Sequence, residues 1–158
     1  MINPTQFREF VIRPVLKTMD AWSESVENLM MGTAMQESGL TYLRQLGGGP
    51  ALGIFQMEPD THDDIWSNYL DYRDDIKTTV SGFMCRDKIE RGKEEMVWNL
   101  AYATAMCRVH YLRVPESFPH EKDIIGMASY WKQYYNTPLG KGTIDQFVEN
   151  YDRMVKAA

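Results

Sequence analysis

Leu29–Thr61 reads LMMGTAMQESGLTYLRQLGGGPALGIFQMEPDT, and its changes of character decide the fold. From Leu29 to Glu37 it is apolar at helical spacing (Leu29, Met30, Ala34), and Gly39 follows as a helix stop. Thr41 to Met57 abandons that period. Gly47-Gly48-Gly49-Pro50 lies between two short apolar runs, Leu43 to Leu46 and Leu52 to Met57. Such punctuation predicts a turn whose flanks pair as a small β-hairpin or stay an irregular glycine-rich loop. Pro59 then stands where proline is best tolerated, in the first turn of a helix through Ile65, Trp66 and Tyr69.

Helical spacing prevails on both sides. Pro4 to Met19 carries Phe7, Phe10, Val11, Val15 and Leu16, with Pro14 expected to kink or break it. The helix that ends near Glu37 starts after Ser23. Further helices are predicted at Asp75 to Ile89, Glu94 to Leu112, Asp123 to Tyr135 and Ile144 to Val155. Thr143 and Gln146 open the last with a capping-box pattern. The expected fold class is mainly α, in one domain over residues 1–158, a length that can bury a core without staples.

Composition narrows the function classes. Hydrophobic residues at 44% and charged residues at 25% suit a globular chain and exclude disorder. A net charge of -5 argues against a nucleic-acid partner. No stretch reaches the roughly 20 apolar residues of a membrane span. Arg8, Glu9, Arg13 and Lys17 interrupt the N-terminal segment, so no signal peptide is read there and synthesis in a cytoplasm is expected. Cys85 and Cys107 both fall in helical segments, too few for a disulfide framework. His62, His110 and His120 lack metal-ligand spacing, and neither a metal nor a cofactor is expected. Gly47 to Gly49 lacks the Gly-Lys-Ser/Thr ending of a phosphate loop, and no nucleophile elbow occurs.

Glu37 is the residue with chemistry in prospect. It closes an apolar helix, where the helix dipole disfavours negative charge and apolar neighbours desolvate it. Both raise a carboxyl's pKa toward the range of a general acid. Sixteen residues beyond Glu37, Gly53-Ile54-Phe55-Gln56-Met57-Glu58-Pro59-Asp60-Thr61 begins with a glycine fit for a tight bend and includes an amide fit to bind a sugar hydroxyl or acetamide. Aromatic side chains able to stack on sugar rings are Phe55, Tyr130, Trp131 and Tyr135. Glu58, Asp60, Asp63 and Asp64 are candidates for a second carboxylate, or simply stabilise a helix start.

Glu37-Ser38 followed by Gly53 through Thr61 resembles the lysozyme-like lytic transglycosylase family, whose signature is Glu-Ser and then Gly-apolar-apolar-Gln-apolar-x-Pro-x-Thr. Tyr111-Leu112-Arg113, Tyr134-Tyr135-Asn136 and the closing helix with Phe147, Val148 and Tyr151 are similar to later family blocks, so the likeness runs from about Leu29 to Met154. The resemblance implies a lysozyme-like helical domain that cleaves the MurNAc–GlcNAc β-1,4 bond of bacterial peptidoglycan and leaves 1,6-anhydro-MurNAc ends. It implies Glu37 as catalytic acid/base, Gln56 as a glutamine lining the cleft and Tyr135 as a cleft tyrosine near that glutamate; Ser38, Phe55, Tyr130 and Asn136 complete the expected substrate-binding set.

Two departures stand out. The family's substrate-contacting serine in the loop is replaced by Gln45-Leu46-Gly47-Gly48, and Asn136 is followed by Thr137-Pro138-Leu139-Gly140 in place of Ala-Gly. The second leaves Tyr130 or Tyr134 as alternatives to Tyr135. The partner expected is the glycan strand, for a monomer acting on the cell wall as a phage endolysin or virion component. The alternatives are a hydrolytic lysozyme with a second carboxylate and a non-catalytic wall-binding virion component of the same fold. The acidic net charge weighs against electrostatic steering to an anionic wall.

Overall fold

The computed structural model describes residues 1–85, 89–137 and 139–158. The fold is mainly helical and assembles around one helix, α3 (Glu24–Ser38). Ser23 opens α3 by accepting the Val26 N–H, with Glu24 and Glu27 in its first turn where the dipole favours acids. Gly39 closes it at φ +59°, returning its N–H to the Met35 carbonyl at 2.9 Å. Between these caps Val26 through Met35 are all buried, so α3 has no solvent face to speak of.

The other described helices are α1 (Pro4–Phe7), α2 (Arg13–Thr18), α4 (Pro59–Asn68), α5 (Asp74–Gly82), α6 (Ile89–Glu95), α7 (Leu100–Leu112), α8 (Ile124–Trp131) and α9 (Ile144–Ala157). The last two pack on α3. α9 starts with the capping box of Thr143 and Gln146 and buries Phe147, Tyr151 and Met154 along one stripe. That stripe lies on α3 at Gly32, where a Cβ would fall 2.4 Å from Phe147 Cζ. Only a glycine lets the two helices come this close.

Several predicted elements are redrawn. Pro14 does not break the first helix. A π-helical turn at Arg8–Ile12 precedes it, in which the Arg13 N–H reaches back to the Arg8 carbonyl, and the ring without an N–H is absorbed. The predicted Asp75 to Ile89 helix stops at Gly82, and residues 86–88 lie outside the described part. The predicted Glu94 to Leu112 helix is divided because Asn99 caps a fresh start at α7, its Oδ1 accepting the Tyr102 N–H at 3.0 Å. The Asp123 to Tyr135 helix loosens after Trp131 into a second π turn, Lys132–Asn136.

The β-hairpin does not form. Among the described residues there are no strands, only isolated bridges Arg44–Leu52 and Leu52–Met57. Leu52 spends both its N–H and its carbonyl on Met57. Gly47 and Gly48, at φ +77° and +80°, carry the chain away from extended geometry. The pairing left is Gln45 N–H to Ala51 O and Gly53 N–H to Leu43 O. The irregular glycine-rich loop is therefore the form adopted. Cys107 is buried in α7 and Cys85 is exposed, both as free thiols.

Candidate functional site

A cleft of about 650 Å³ opens at the C-terminal end of α3. Glu37 supplies its acid. Gln45, Ala51, Gln56, Met57, Glu58 and Thr61 come from the glycine-rich loop and the start of α4, and His110 comes from α7. Tyr135, Asn136, Thr137, Leu139, Gly140 and Lys141 belong to the second π turn and the segment leading from it to α9. The lining is thus mostly polar.

The turn at residues 53–56 is held by backbone that only certain residues allow. Gly53 has φ +76°, and a Cβ there would meet the Met96 carbonyl oxygen at 2.4 Å. Gln56 also sits in the left-handed region, at φ +48°. Its Nε2 donates to the Gly53 carbonyl at 2.8 Å, which closes the turn and fixes the amide at the cleft wall.

Glu37 is half-buried, with one protein partner among the described residues: the Trp131 indole Nε1–H donates to its Oε1 at 2.8 Å. Burial pushes the carboxyl up to about 7, and the indole bond opposes that push without cancelling it. Its place in the last turn of α3 acts in the same upward direction. Near neutral pH the group is therefore divided between acid and base, the state needed to give a proton and take one back.

His110 stands in the same wall, its ring edge-on to Tyr135 with centroids 4.9 Å apart. Arg113 Nη2 lies 2.9 Å from its Nδ1, and since a guanidinium only donates, Nδ1 is the acceptor nitrogen. Burial, then the Arg113 charge, press the imidazolium down to about 4, so His110 is neutral wherever Glu37 titrates. Tyr135 donates its hydroxyl to the Phe55 carbonyl at 2.8 Å, tying the π turn to the 53–56 turn.

Of the residues expected to bind substrate, Gln56, Tyr135 and Asn136 line the cleft with Glu37. Of the three tyrosines, Tyr135 alone does so. Three expectations are corrected. Ser38 is buried behind the cleft, its hydroxyl 2.6 Å from the Ile54 carbonyl and 3.0 Å from that of Ala34, so it fastens α3 to the turn. Phe55 is 1% exposed and packs on Phe7, which leaves no face for a sugar. Tyr130 is buried among Tyr111, Phe118 and Tyr134 and donates to the Glu116 carbonyl. Trp131, a stacking candidate by composition, is likewise fully buried and serves Glu37 by its N–H instead.

Among the carboxylates after Gln56, Glu58 alone lines the cleft. Asp63 is paired with Lys93 and His62, and Asp64 with Arg113. His110, Gln45 and Lys141 are cleft residues that sequence reasoning missed. His110 adjoins the Tyr111-Leu112-Arg113 block, the one signal that pointed near it. Among the described residues no cluster of His, Cys, Asp and Glu has metal-binding geometry, and no helix is long and apolar enough to cross a membrane. Compared with protein-family models, curated proteins and solved structures, the chain gives no match.

Proposed function

We propose that this chain cleaves the MurNAc–GlcNAc β-1,4 bond of bacterial peptidoglycan as a lytic transglycosylase, with Glu37 as its acid and base. The observation that carries the reading is a carboxyl poised near pH 7 in an open polar cleft, between the Gln56 turn and Tyr135. The likeness of Glu37-Ser38 and Gly53 to Thr61 to the family signature supplies the substrate class.

Glu37 protonates the bridging glycosidic oxygen, and the bond to the MurNAc anomeric carbon breaks as an oxocarbenium-like centre forms. The ionised Glu37 then takes the proton of the MurNAc 6-hydroxyl, whose oxygen attacks that centre and closes the 1,6-anhydro ring. The proton balance returns Glu37 to its starting state. Gln56 offers amide groups for the acetamido and hydroxyl substituents, and Asn136 offers the same from the opposite wall.

A second reading is hydrolysis, favoured by Glu58, an exposed carboxylate in the same cleft. It would orient a water on the far side of the sugar. Purified sacculi separate the readings. Clearing of the suspension with products one water lighter than hydrolysed fragments is expected. Products of full mass would transfer the role to hydrolysis with Glu58. Binding without clearing would leave a wall-binding component and overturn the enzymatic reading.

A further inference from the structure

We propose that Trp131 is a positioning residue that directs the transferable proton of Glu37 onto one oxygen, Oε2. This rests on reading Glu37 as the acid. An indole N–H can only donate, and this one reaches Oε1 at 2.8 Å. In a neutral carboxyl the carbonyl oxygen is the better acceptor, so the bond selects the form whose hydrogen is on Oε2. Among the described residues no protein group bonds to Oε2, which leaves it for a ligand in the cleft.

The indole is held rigidly for this task. Trp131 is fully buried, its ring is backed by Phe147 at 5.4 Å, and Gly142 passes so close that a Cβ there would meet Trp131 Cη2 at 2.5 Å. Once the proton has left, the same N–H faces a full negative charge, and a hydrogen bond to an ion is the stronger kind. The contact therefore gains strength as the reaction proceeds, which is where an interaction speeds the chemistry rather than merely tightening binding.

The other groups around Glu37 do not compete for this role. Cys107, Tyr111 and His110 of α7 and Tyr135 of the π turn are all neutral where Glu37 titrates, and the charged groups of the cleft, Glu58 and Lys141, are exposed at its rim.

The first measurement needs only the natural chain and Glu37→Gln. The Trp131 indole proton resonance, followed from about pH 5 to 9, should move with a midpoint near 7 and stay still in Glu37→Gln. A resonance that is flat in the natural chain, or that titrates equally in Glu37→Gln, overturns the proposal. The second uses Trp131→Phe, which keeps a ring and removes the donor. Its alkaline limb of wall cleavage should rise by roughly one pH unit and its kcat fall about tenfold, with the half-saturating wall concentration little changed. A folded Trp131→Phe with the natural limb and rate also overturns it. An indole that titrates with Glu37 in a protein that clears no walls supports the coupling and removes the enzymatic reading, so the two failures are distinct.

Discussion

Glu27 and Glu37 occupy opposite ends of the same buried helix, and their surroundings send them in opposite directions. Glu27 receives Arg13 Nε and Nη2, Arg8 Nη1 and the Trp22 indole at 2.6 to 2.8 Å. Burial alone would raise its pKa, but hydrogen bonds from Arg13, Trp22 and Arg8 win and bring it to about 2. It also lies in the first turn of α3, where the dipole favours a negative charge. Glu37 lies in the last turn, with one uncharged donor and no cation bonded to it among the described residues, and is raised to about 7. One carboxyl is thus locked as an ion that ties the Arg8–Ile12 turn and α2 to the core, and the other is left able to exchange its proton. Burial supplies the upward push in both cases; the number and charge of the donors decide the outcome.

Breaking the cleft end should have the largest effect. Glu37→Gln keeps volume and the Trp131 contact but has no acidic proton, and wall clearing is expected to fall by about a thousandfold or more with the fold intact. A rate near that of the natural chain in a turbidity assay would remove Glu37 from the chemistry.

Breaking the other end should instead cost stability. Glu27→Gln leaves Arg8 and Arg13 without their counter-charge and should lower the unfolding free energy by about 3 kcal/mol, read from the urea midpoint. The activity per folded molecule should be unchanged, since Glu27 stands at the far end of α3.

The comparison is sharpened by pH. The folded pKa of Glu37, about 7, exceeds its ordinary value of 4.5. Its contribution to stability is therefore complete below 4.5 and is lost as pH rises through 7. Glu37→Gln escapes that loss, so it should melt higher than the natural chain at pH 8, by about 5 °C, with the gap shrinking towards zero near pH 4. Glu27 runs the other way: its stabilisation is complete above 4.5 and fades as pH falls towards 2. A melting difference for Glu37→Gln that did not depend on pH would contradict the raised pKa.

The smallest effect is expected at Ser38. Ser38→Ala loses the hydroxyl contact to the Ile54 carbonyl, and about 1 kcal/mol of stability, while cleavage by the folded protein stays within about twofold. A loss of activity greater than the loss of folded protein would return Ser38 to the cleft.

The ends of α3 and α9 were readable because Ser23, Gly39 and the Thr143–Gln146 pair act locally. Short motifs likewise pointed to Glu37 and Gln56, which line the cleft, but left Tyr135 open against Tyr130 and Tyr134 until the fold separated them. The inward turn of Ser38, Phe55 and Tyr130 was not readable, because helical periodicity separates core from solvent but not core from cleft. α3 and α7 add to the difficulty: both are buried on nearly every side, so no polar stripe marks where an open groove begins. The Trp131 contact spans 94 positions of sequence, and no local pattern announces a donor from so far. The hairpin failed for a local reason that composition hides, the double use of Leu52 by Met57.

Phe147 has two neighbours that make opposite demands on it. It fills the space that Gly32 leaves open, and it backs the indole of Trp131. A larger residue at 32 would be accommodated only by a smaller one at 147, so these positions are free to vary only together. Yet any such exchange would slacken the plate behind Trp131. A packing contact deep among the helices is in this way bound to the fidelity of a proton in the cleft, and drift at either position should be legible in the pH response as well as in the stability of the fold.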